Sequence, residues 1–166
     1  MKVCIVGAGA IGGFIGTRLA KAGRADVSAV ARGATLAALQ EHGWRTRSGD
    51  ALLQTKARAS DVPAALGVQD LVIIAVKGPA LTAVAQNIAP LLAPHTLVLP
   101  AMNGVPWWFC EGLAGIDAAP LQSVDPGGAV ARPQSYKTIE RPQRPLLNTA
   151  RFPHPPPYRS RLRVRA

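Results

Sequence analysis

Three glycines in the run Gly7-Ala8-Gly9-Ala10-Ile11-Gly12, an arginine at 32, a lysine at 77 and an asparagine at 103 are the residues whose types and spacing could do chemistry. The chemistry is the binding of a phosphorylated ligand. A glycine at position 7 lets the backbone turn sharply out of a strand, one at 9 lets it approach a diphosphate without a Cβ in the way, and one at 12 lets the following helix lie close to a sheet. The helix's first-turn N–H groups, with the positive end of its dipole, then face the phosphates. Glycine spacing alone is common in loops; here it follows the β-branched run Lys2-Val3-Cys4-Ile5-Val6 and opens a helical pattern to Gly23. That order of elements separates a dinucleotide turn from a turn that binds nothing.

The elements that must position these residues are those of a parallel α/β sheet. In the first helix, Ile11, Ile15 and Leu19 recur at helical spacing and are expected to face the sheet, with Gly12 and Gly16 allowing close contact. Residues 25–31 read as a second parallel strand, completing a βαβ unit, and lead into Arg32. Proteins that prefer NAD carry an acid at the end of this strand for the ribose 2′-hydroxyl. Asp26 is at the wrong end of it, and Arg32 offers a planar fork of donors to a 2′-phosphate, so NADP is expected over NAD unless Arg32 is only a solvated loop residue. Residues 35–42 predict a helix capped by Thr35 and stopped by Gly43, 44–58 a hairpin turning at Ser48-Gly49-Asp50, and 61–67 a short helix with an Asp61 cap.

Residues 70–76 form a continuous apolar run of the kind buried on both faces, and Lys77 follows it. A helix over 81–92, a strand over 96–101 and then Met102-Asn103-Gly104-Val105 complete the pattern. Arg32, Lys77 and Asn103 thus all follow strands, on the side where α/β sheets bind ligands. Trp107, Trp108 and Phe109 open a further helix ending near Gly115, an aromatic triplet better suited to packing than to stacking on a ligand.

At 166 residues and a mean hydropathy of +0.15 the chain can bury one domain. No stretch is apolar enough for a membrane span and no cleavable leader is evident, so a cytoplasmic location is expected. Cys4 and Cys110 read as core thiols, and His42, His95 and His154 do not cluster, so no metal is expected. The net charge of +10 is uneven: residues 1–116 carry ten Lys/Arg against six Asp/Glu, residues 117–166 nine against three. The basicity therefore says little about the partner of the folded part.

Taken together, Gly7 to Gly12, Arg32, Ala75-Val76-Lys77 and Met102-Asn103-Gly104-Val105 resemble the N-terminal, NADP-binding domain of the ketopantoate reductase (2-dehydropantoate 2-reductase, ApbA/PanE) family over residues 1–116. The resemblance implies a Rossmann-type α/β domain with helices on both faces, and NADPH-dependent reduction of a 2-oxo acid on the route to pantothenate. It implies cofactor contacts from Gly7, Ala8, Gly9, Ala10, Ile11 and Gly12, Arg32 on the 2′-phosphate, Lys77 by the adenine-side ribose, and Asn103 on the nicotinamide ribose and the substrate. The family's catalytic lysine and substrate-binding glutamate belong to a second, all-helical domain for which this sequence offers no counterpart. Lys137 is in no helical pattern, so the catalytic residues stay unassigned and cofactor binding is expected to outlast catalysis.

Residues 117–130 read as a connecting remnant and 131–166 as a disordered basic, Pro-rich tail, its prolines incompatible with a helix. Because Arg and Pro share GC-rich codons, an out-of-frame tail is the hypothesis; a gene encoding no helical domain in any frame would remove it. An uncovered domain face would favour self-association. The alternatives are a non-catalytic NADP-binding module or regulator, and a basic tail that contacts anionic partners. The tail holds only Tyr136, Phe152 and Tyr158 as aromatics, so a nucleic-acid partner is not expected.

Overall fold

The computed structural model describes residues 1–104, 122, 123, 125–128 and 130. The helix expected from Trp107, Cys110, most of the connecting segment and the 131–166 tail lie outside them.

The centre of the fold is β1 (Lys2–Val6), with parallel neighbours on both sides. Beyond it the chain forms α1 (Ala10–Ala22), β2 (Asp26–Val30), α2 (Gly33–His42), β3 (Trp44–Ser48), β4 (Ala51–Thr55), β5 (Arg58–Ser60), β6 (Leu71–Ile74), α3 (Leu81–Asn87) and β7 (Leu97–Pro100). Five strands make one parallel sheet in the order β5-β2-β1-β6-β7, a Rossmann-type arrangement. The antiparallel hairpin β3-β4 stands apart from it, its register running from Trp44 opposite Thr55 to Ser48 opposite Ala51.

Alternate residues of the strands feed two cores, as the period of two requires. Val3, Ile5, Val27, Ala29 and Ile73 lie under α1, α2 and the hairpin, with Leu39 and Trp44 buried among them. Cys4, Val6, Val30, Val72 and Ile74 lie on the other face, under Leu66, Leu81, Ile88 and Leu91, and Val130 joins them. A strand sandwiched this way has no solvent face, so β1 and β6 read as unbroken apolar runs. The edge strand β7 differs: Val98 packs on the α3 side, whereas Leu97 and Leu99 stay half exposed.

Several expected elements shift. Ile11 is 58% exposed instead of facing the sheet; it stands in the first turn of α1, where the helix begins past the ends of the strands, while Ile15 and Leu19 pack as expected. Helix α2 starts at Gly33 with Arg32 at its N-cap and no side-chain cap, so Thr35 is not the cap. The 61–67 helix is a single 3-10 turn, Pro63–Leu66; Ser60 Oγ, not Asp61, accepts a nearby N–H, that of Val62, at 3.0 Å. The 81–92 helix ends at Asn87, and Ala89–Leu91 forms a separate turn around Pro90. Arg58 is outside the hairpin, in the parallel strand β5, and its Nη2 donates to the Leu66 carbonyl at 2.6 Å.

At the amino edge the buried Gln69 Nε2 donates to the Leu66 and Gly67 carbonyls, each at 2.9 Å, and the Thr96 hydroxyl donates to the Gln69 carbonyl at 2.7 Å. No described helix is long and apolar enough to cross a membrane.

Candidate functional site at the carboxyl edge of the sheet

The strands leave the sheet in one row. The Gly7 N–H donates to the Val30 carbonyl at 3.0 Å, Ala75 to Val6 at 2.8 Å, Ala101 to Ile74 at 2.7 Å and Ala31 to Ser60 at 3.1 Å. Arg32 therefore follows that row by one residue, and Lys77 and Asn103 by two. With neighbouring strands about 4.8 Å apart, Arg32 and Lys77 emerge one strand to either side of the glycine turn and Asn103 two strands away. All three are exposed, and among the described residues neither cation is paired with a carboxylate.

Within the turn, the glycines separate by what holds them. Gly7 has φ +91, and a Cβ there would come 2.7 Å from Val76 Cγ1, so both conformation and space exclude a side chain. At Gly12 a Cβ would run into the Gly7 carbonyl oxygen and lie 2.9 Å from Ile5 Cγ2; this glycine lets α1 rest on the start of its own turn. Gly9 is different. Its φ of −72 and ψ of −156 suit any residue, and a Cβ would meet no protein atom within 4 Å. Nothing in the protein itself requires a glycine at position 9. It is the N-cap of α1, without a side-chain cap, and the first helical hydrogen bond runs from the Gly13 N–H to the Gly9 carbonyl at 2.6 Å. Ala8 packs on the core, whereas Ala10 and Ile11 are exposed at the helix start.

Asp26 heads β2 opposite Lys2, at the amino edge of the sheet and at the far end from this mouth. The acid the sequence did not reveal here is Asp61, exposed and one residue past β5, on the strand next to that of Arg32. It could be found only by recognising Arg58–Ser60 as a strand. Cys4 has no part in the site: burial pushes its thiol up to about 11, against smaller opposing effects of the Ser28 hydrogen bond, a backbone bond and the Arg58 charge.

Residues 3–106 match the family described as Ketopantoate reductase PanE/ApbA. The chain belongs to this family. It is 47% identical over 131 residues to a 2-dehydropantoate 2-reductase of Mesorhizobium japonicum, covering 78% of this chain and 40% of that protein. A crystal structure of a Ralstonia solanacearum protein, described as a ketopantoate reductase by name only, superposes with a TM-score of 0.73 at 53% identity, again over 78% of this chain and 40% of the other. The ternary structure of D-mandelate dehydrogenase with NADH and anilino(oxo)acetate is similar at 28% identity and a TM-score of 0.58, over 64% of this chain and 35% of that one. The chain spans about 40% of the length of the first two.

Proposed function

We propose that this chain binds NADPH at the carboxyl edge of its sheet and is the cofactor-binding part of a cytoplasmic 2-oxo acid reductase of the 2-dehydropantoate 2-reductase kind. The observation that carries the proposal is the contrast among the glycines: protein packing accounts for Gly7 and Gly12, whereas Gly9 faces open space at the N-terminus of α1. A backbone kept bare where it touches nothing of its own chain is explained by a ligand that must come close.

The residues present suit this group. The α1 N-terminus and the main chain of Gly7 to Gly12 would hold the diphosphate, the Arg32 guanidinium the 2′-phosphate, and the Lys77 ammonium the charge on the adenine side. Asn103, which can donate and accept, would orient the nicotinamide ribose and the substrate's oxygen functions. When bound, NADPH supplies a hydride for the carbonyl carbon of the 2-oxo acid. Protonation of the resulting alkoxide is assigned to no residue of this chain.

A second reading is an NADH-linked reduction of another 2-oxo acid, and two observations favour it: the likeness to D-mandelate dehydrogenase solved with NADH, and the Asp61 carboxylate at the same edge. Binding isotherms of NADPH and NADH with the wild type and Arg32→Ala separate the two. NADPH is expected to bind more tightly, and Arg32→Ala to weaken it about 10- to 100-fold, as the loss of a charge-assisted bond implies, with little effect on NADH. Equal wild-type affinities would refute the NADP preference, and binding of neither would refute the proposal.

A further inference from the structure

Helix α1 carries the phosphate-binding amides, yet no polar bond from its side chains to the sheet is evident at its buried face. Its buried residues are Gly12, Gly16 and Thr17, with Ile15, Leu19 and Ala20 packed on the core beside them. The fully buried Thr17 hydroxyl donates to the Gly13 carbonyl of its own helix, at 2.7 Å. Phe14 and Arg18 turn outward, the guanidinium 5.2 Å from the ring centroid. Packing, not hydrogen bonding, therefore fixes where the helix lies.

Its two closest approaches to the rest of the protein are a turn apart. Gly12 rests on the Gly7 carbonyl and Ile5, and Gly16 on the Trp44 indole, whose six-membered ring would overlap any Cβ at position 16. Trp44 comes from the hairpin, outside the sheet, and is completely buried. Its Nε1–H points to the Val27 carbonyl of β2 at 3.5 Å, so the ring forms a wedge with α1 on one side and the sheet on the other. Gly16 lies about 10 Å along the axis from Gly9, and a rigid helix transmits a tilt at one end to the other.

We infer that Trp44 is a positioning residue for cofactor binding: through its contact with Gly16 it sets the tilt of α1, and with it the place of the amides that meet the diphosphate. The inference rests on the cofactor reading above. It predicts that the size of residue 44 and of residue 16 governs affinity for a ligand with a diphosphate while leaving unchanged a ligand held only at the Arg32 end.

The test uses the full 166-residue chain as wild type, Trp44→Phe, Gly16→Ala and the double variant, titrated with NADPH and with adenosine 2′-monophosphate, which has no diphosphate. Folding is checked by circular dichroism and melting. Each single variant is expected to weaken NADPH about tenfold, the scale on which a slight misplacement of donors is felt, and adenosine 2′-monophosphate hardly at all. The double variant, with a smaller ring opposite a larger helix residue, is expected to regain NADPH affinity relative to Gly16→Ala. If Trp44→Phe does not fold, Gly16→Ala decides. Unchanged NADPH affinity in a folded single variant, or equal weakening of both ligands, overturns the inference while wild-type NADPH binding leaves the cofactor reading standing. Failure of the wild type to bind NADPH overturns both.

Discussion

Replacing Gly9 by alanine should separate binding from folding, and replacing Gly12 should not. At Gly9 the backbone angles are ordinary and the added methyl meets no protein atom within 4 Å. The remaining penalty is the poorer N-cap quality of alanine, at most about 1 kcal/mol, or about 4–8 °C in melting temperature for a domain of this size. On the cofactor reading proposed above, that methyl would stand between the main chain and the diphosphate. Losing a charge-assisted hydrogen bond of about 1.5–3 kcal/mol weakens NADPH binding roughly 10- to 150-fold. At Gly12 the methyl strikes the Gly7 carbonyl, a backbone atom that cannot turn aside, and a cost of about 3 kcal/mol or more lowers the melting temperature by well over 10 °C. Thermal melts paired with NADPH fluorescence titrations read both quantities on the same samples. Wild-type NADPH affinity in Gly9→Ala, or a loss of stability there equal to that of Gly12→Ala, would refute the division of roles among the glycines.

At the same edge, Asp61→Asn removes a negative charge one strand from Arg32, and NADPH affinity should rise about two- to fivefold, the scale of an exposed charge pair, the gain shrinking with salt; weaker binding would give Asp61 a contact of its own. For Cys4 the unfolded thiol loses its proton near 9.0 and the folded one near 11, so its contribution is complete below pH 9 and lost as pH rises to 11, by about 2–3 kcal/mol. Wild type minus Cys4→Ala, followed by urea melts across that range, isolates this slope from other titrating groups; parallel curves would count against it. Leu91→Ala empties a fully buried position on the α3 side and should cost about 2–5 kcal/mol in a denaturant melt while NADPH affinity in the folded protein stays unchanged.

The central sheet was legible because burial on both faces leaves little freedom of composition: the runs around β1 and β6 contain almost nothing but apolar residues, and the glycine turn after β1 marks its direction. The three-residue β5 carried no such mark. Its strand character comes from pairing with Ser28–Val30 of β2, a contact distant in sequence, and missing it also concealed that Asp61 shares an edge with Arg32. Periodicity placed Ile15 and Leu19 correctly but extended the inward face one turn too far, to Ile11. Arg32, Lys77 and Asn103 were readable as strand ends, because parallel strands in register make sequence position after a strand a spatial coordinate. The part played by Trp44 was not, since nothing local to the hairpin says that its first residue is driven against a helix glycine almost thirty positions earlier.

The alternation along β1 has a consequence for how this domain can change. Residues 3 and 5 share their packing with α1 and the indole behind it, while residues 4 and 6 belong to the opposite layer. Substitutions in that second layer, away from Val76 and Met102 which lead into Lys77 and Asn103, are therefore expected to retune robustness, for instance heat tolerance, more than recognition, whereas equally conservative swaps on the first are expected to alter affinity. A single five-residue strand thus sorts the sites open to engineering into two sets.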